Sequence, residues 1–89
     1  MDMDDGQYLR RIQEKIERLT SRSIELRVDR EEATQIRVEL ERPVPLVVLG
    51  SDILRYSGFA RMCVEYVVAS LRQHRAIDTL EFHLLLARN

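Results

Sequence analysis

The chain has 89 residues, 45% hydrophobic and 33% charged, with a formal net charge of −1. That composition is one globular domain and excludes a disordered chain, and the near-neutral balance excludes a whole-surface attraction to nucleic acid or anionic lipid. So short a chain buries only about 60–65% of its unfolded surface, and its single cysteine, Cys63, leaves it without an internal disulfide.

The basic residues are all arginine except Lys15. The acidic start MDMDDG lacks the basic segment that opens a signal peptide. The longest apolar run, from Val44 to Leu49, falls far short of the ~20 residues that span a bilayer. A cytoplasmic location is therefore expected, and a lone cysteine fits a reducing compartment.

Residues 1–4 are expected to be disordered. Asp4 and Asp5 suit the N-terminus of a first helix, where carboxylates meet unpaired amides and the positive end of the helix dipole. Leu9, Ile12, Ile16 and Leu19 then recur at helical spacing with Tyr8 at the edge. This stripe is about 100° wide and predicts a helix lying on a sheet, not a free two-heptad coiled coil. Arg10–Glu14 and Glu14–Arg18 are i,i+4 pairs on the wet side.

After Thr20–Ser23 the period changes to two. Ile24, Leu26 and Val28 alternate with Glu25, Arg27 and Asp29, and Ile36, Val38 and Leu40 alternate with charged and polar residues. Each pattern is a half-buried strand, and the short link between them predicts an antiparallel hairpin. Like charges disfavour setting Val28 opposite Ile36, since Arg27 would face Arg37 and Glu25 would face Glu39. A register shifted by two, with Asp29 facing Arg37 or Glu25 facing Arg37, avoids this. Pro43 and Pro45 withhold two amides, and the continuous run Leu46–Leu49 reads as a strand covered on both sides.

Gly50-Ser51-Asp52 ends that strand, and Ser51 or Asp52 is placed to cap a short turn through residues 53–56. A break at Gly58 then opens the main helix, with Ser57 as its cap. Phe59, Met62, Cys63, Tyr66, Val67, Ser70 and Leu71 form one stripe, widened by Ala60 and Val64. Val68 falls among the polar residues Arg61, Glu65 and Arg72. The apolar arc is roughly twice the ~100° of an ordinary surface helix, so this helix is sandwiched or half buried by a partner. Residues 73–78 leave the helix. Leu80, Phe82, Leu84 and Leu86 alternate with Thr79, Glu81, His83 and Leu85, which predicts a last strand.

The order α-β-β-β-α-β predicts an α+β domain spanning 1–89, with a mixed, mostly antiparallel four-stranded sheet and two helices on one face. Glu25, Arg27, Arg37, Glu39, Glu81 and His83 would then share the other face.

Catalytic signals are sparse. Cys63 sits on an apolar stripe, where a cysteine behaves as a small hydrophobe. His74 and His83 lack the spacing of a metal pair. Gly50-Ser51-Asp52 lacks the further glycines and the lysine of a phosphate loop, and Ser57 lacks a nucleophile-elbow context. No cofactor or metal is expected. The expected function is a non-catalytic protein-interaction module that forms a homodimer, with Val64, Val68 and Leu85 at the interface. The alternative is a small nucleic-acid or ribonucleoprotein binder using Arg10, Arg11, Arg18 and Arg22 as phosphate contacts. A small enzyme with a composite site at a subunit boundary is the third reading.

Overall fold

The computed structural model describes residues 3–76 and 79–88, with side chains from Gly6 onward. In chain order the elements are α1 (Met3–Thr20), β1 (Glu25–Asp29), β2 (Ile36–Glu39), β3 (Leu46–Gly50), a 3-10 turn (Ile53–Arg55), α2 (Phe59–Gln73) and α3 (Thr79–Arg88). Of the residues expected to be disordered, Met3 and Asp4 join α1, and residues 1 and 2 lie outside the described residues. So do residues 77 and 78 of the predicted helix exit. Among the described residues no helix is long and apolar enough to cross a membrane.

The α+β class holds, but the sheet has three strands, in the order β1-β3-β2. β3 pairs parallel with β1 and antiparallel with β2. The predicted β1–β2 hairpin does not form, because β3 inserts between the two alternating strands. The sheet thereby places its most apolar strand at the centre, where both faces are covered. All five residues of β3 are buried.

The disfavoured alignment of β1 with β2 is the one the sheet adopts, with a strand in between. Arg27, Val48 and Arg37 form one cross-strand row, and Glu25, Leu46 and Glu39 form the next. The like charges are two strand spacings apart, about 10 Å, so their repulsion is weak. Each strand instead neutralises itself, through Arg27–Glu25 at 3.4 Å and Arg37–Glu39 at 3.1 Å. These long side chains flank Leu46 and Val48, which are buried on this outer face without belonging to the main core.

The inner face carries Ile36, Val38, Val47 and Leu49 into a core shared with Ile12, Ile16, Phe59, Cys63, Val67 and Phe82. α2 is the hub, with α1 against one flank and α3 against the other. The predicted break before it is real. Gly58 takes a left-handed φ of 77° at the N-cap, so neither Ser57 nor a continuous helix fills that role. Asp52 stands at the N-cap of the 3-10 turn without a side-chain cap bond.

The predicted last strand is a helix. Thr79–Arg88 has four Leu and one each of Glu, Ala and Arg, with Thr79 its one β-branched residue, a helix-forming composition. Phe82 and Leu86, one turn apart, enter the core. Thr79 docks this helix on the outer edge of β2. Its hydroxyl donates to the Ile36 carbonyl at 2.6 Å and accepts from the Ile36 N–H at 3.3 Å. α1 does the same at the entrance to β1, where Gln13 donates to the Ile24 carbonyl and Glu17 accepts from the Ile24 N–H, both at 2.9 Å. Neither predicted Glu14 pair closes to ion-pair distance. Among the described residues the i,i+4 ion pair is Arg61–Glu65, on α2.

Candidate functional site

The reactive residue types are spread over separate parts of the fold. Cys63 is wholly buried on α2, and burial pushes its thiol up to about 12, the opposite of what an attacking thiolate requires. His74 closes α2 in a left-handed conformation and sits 3.3 Å from Glu41. His83, on α3, donates to the Thr34 carbonyl and packs edge-on against Tyr56 with centroids 5.6 Å apart. The two histidines line different clefts. Among the described residues, no cluster of three or more His, Cys, Asp or Glu side chains is placed to hold a metal ion.

The Gly50-Ser51-Asp52 turn spends its amides inside the fold. Gly50 N–H donates to Gln35 at 2.8 Å, Ser51 to Asp29 at 2.9 Å and Asp52 to Ala33 at 2.8 Å. A phosphate would find no free donor among these three. The Asp29 carboxylate shapes the facing loop, accepting from the Glu31 and Glu32 amides and from the Gln35 side chain.

The predicted interface residues separate. Val64 and Val68 are 8% and 7% exposed, covered within the chain's own core with α1 against this flank of α2. The wide apolar arc of α2 is thus filled by the fold itself, and Val68→Glu would test folding, not assembly. Leu85 is half-buried on the flank of α3. Arg10, Arg11, Arg18 and Arg22 are all exposed. Arg11 borders a groove that Arg10 and Arg18 do not line, and Arg22 follows the end of α1.

Two surfaces stand out. The first is the outer side of α3. Leu80 and Leu84 are 67% and 54% exposed, and with Ala87 they follow i, i+4, i+7 spacing opposite Phe82 and Leu86. The strand reading concealed this line, because at period two Leu80 and Leu84 share a face with Phe82. Glu81 and Arg88 lie along one flank, and Glu81 accepts a hydrogen bond from the Tyr66 hydroxyl.

The second surface is a groove of about 580 Å³ between α1 and α2. Its floor is Tyr8, Ile12, Leu19, Ala60 and Val64, and Leu19 is 47% exposed. Arg11 and Lys15 line it from α1, Arg61 and Glu65 from α2. Arg72 reaches across to donate to the Leu19 carbonyl at 3.0 Å, tying the C-terminal end of α1 to α2. Partial burial, the nearby Cys63 and, in the other direction, a hydrogen bond with the Ala60 backbone act on Tyr8, and the net effect raises its phenol above its ordinary value. Comparison with family models, with curated proteins and with solved structures found no match.

Proposed function

We propose that the chain is a non-catalytic protein-interaction module that pairs with a second copy of itself through α3. One observation carries this reading: α3 is apolar on two opposite sides, Phe82 and Leu86 being buried in the core while Leu80 and Leu84 are exposed. An antiparallel, two-fold pairing centred near Leu84 stacks the Leu80–Leu84–Ala87 lines of two copies. The same operation keeps each flank on its own side, so Glu81 of one copy meets Arg88 of the other, twice over. Tyr66 holds the Glu81 carboxylate on that flank. The interface is thus Leu80, Leu84 and Ala87, with Leu85 at its margin and α2 behind it.

A ten-residue helix offers a small contact, below the roughly 1,000 Å² of a stable interface, so the dimer is expected to dissociate on dilution. Sedimentation over a concentration series tests this. Leu84→Glu is expected to give a monomer at every concentration with an unchanged melting temperature, and Leu84→Met to keep the dimer. A wild-type chain that stays monomeric at the highest concentration, or a Leu84→Glu chain that still dimerises, would reject the pairing.

A further inference from the structure

We infer that the α1–α2 groove is a docking site for an acidic amphipathic helix of a partner protein. The inference concerns a different face from α3 and stands whether or not the chain pairs with itself.

Three features of the groove point to that occupant. Its floor is apolar and lies between two helices, the setting in which a third helix seats its apolar side in the manner of a bundle. Its volume of about 580 Å³ accepts several side chains of a helix laid along it. Its rim carries an excess of positive charge, whereas the rest of the chain is net negative. Three cations and one carboxylate line it, in a chain whose net charge is −1.

That imbalance is sharper than the residue types suggest. Glu65 is 3.5 Å from Arg61, so those two largely neutralise each other. Among the described residues no carboxylate lies within ion-pair distance of Arg11 or Lys15. Arg11 and Lys15 follow i, i+4 spacing, so the positive edge runs along α1 for one turn. A partner helix with glutamates or aspartates along one flank would meet that edge while its leucines cover Leu19 and the floor. Nucleic acid fits less well. The one aromatic in the groove, Tyr8, is half-buried and packed towards Phe59 with centroids 6.3 Å apart, and offers no open stacking face for a base.

The test uses the whole chain and four fluorescent probes read by anisotropy. One peptide carries leucines on one helical face and glutamates on its flanks, a second is its scrambled form, and a third has lysines for the glutamates. The fourth probe is a single-stranded oligonucleotide. The first peptide alone is expected to bind, with amide shifts confined to α1 and α2. The double variant Arg11→Glu/Lys15→Glu should weaken it by about tenfold or more, and Leu19→Ser should weaken it several-fold. Both alter exposed positions, and an unchanged melting curve establishes that the fold survives. Four results would overturn the inference: no binding of the acidic peptide, equal binding of its scrambled form, an unweakened double variant, or preference for the oligonucleotide. Loss of self-association in the double variant would do so too, by assigning the groove to a second copy.

Discussion

Cys63 shows how far one side chain can be understood from its neighbours. Its place on the apolar stripe of α2 already implied core packing, and the structure gives that placement a pH consequence. The folded thiol titrates at about 12 against an ordinary value of 9. Folding therefore favours the protonated form, and the associated stability is complete below pH 9 and is lost as pH rises towards 12. The expected loss is roughly 1 kcal/mol per pH unit across that window. Denaturant midpoints measured at intervals above pH 8 should fall with that slope, and Cys63→Ala should flatten it; equal slopes would refute it. Tyr8, shifted upward as well, leaves a smaller residual slope of the same sign. The native thiol should also resist iodoacetamide until denaturant is added.

Gly50 was only partly legible. The sequence shows a glycine ending a strand, but not the loop that passes behind it. A Cβ there would overlap the Ala33 carbonyl and come within 2.7 Å of the Glu32 oxygen, backbone carbonyls that accept from the Asp52 and Gln35 amides. Because neither can rotate away, Gly50→Ala should destabilise the domain by about 3 kcal/mol or more. A thermal midpoint close to wild type would mean that the loop yields easily.

Among the elements, α3 marks the limit of reading by periodicity. Four apolar residues at alternate positions suit a strand, yet Phe82 and Leu86 also suit one face of a helix, and a leucine-rich run of ten residues does not separate the two. What decided it is tertiary. The outer edge of β2 is occupied by Thr79 and the adjoining loop by His83, so the segment crosses the edge and does not extend the sheet. Thr79→Ala removes both hydrogen bonds to Ile36 and should cost about 1–2 kcal/mol. Thr79→Ser keeps the hydroxyl and should recover most of that. If alanine and serine behave alike in denaturant titrations, the docking rests on Phe82 and Leu86 alone.

At the scale of the whole molecule, the sheet order follows from a contrast already present in the sequence. Residues 46–49 are apolar without interruption, whereas the strands at 24–28 and 36–40 alternate, so the first belongs in the middle and the others at the edges. The short link favours a hairpin, but the contrast prevails: β3 takes the centre and separates β1 from β2. The same weighing bears on α3, which supplies two of the buried side chains of a small core. Phe82 is wholly buried, edge-on to Tyr66 at 5.4 Å and to Phe59 at 6.3 Å. Losing Phe82 and Leu86 together costs about 5–10 kcal/mol, comparable to the whole stability of a native domain, about 5–15 kcal/mol. A chain ended at residue 76 should therefore lack a cooperative melt and show broad amide resonances, because Ile36, Phe59 and Tyr66 would all face water. A truncated chain that melts sharply, losing only the helical signal of ten residues, would make α3 an appendage on a self-sufficient α1–sheet–α2 core. In that case its two-sided apolar surface would be held in place by docking strength too small to support a stable pairing of two copies.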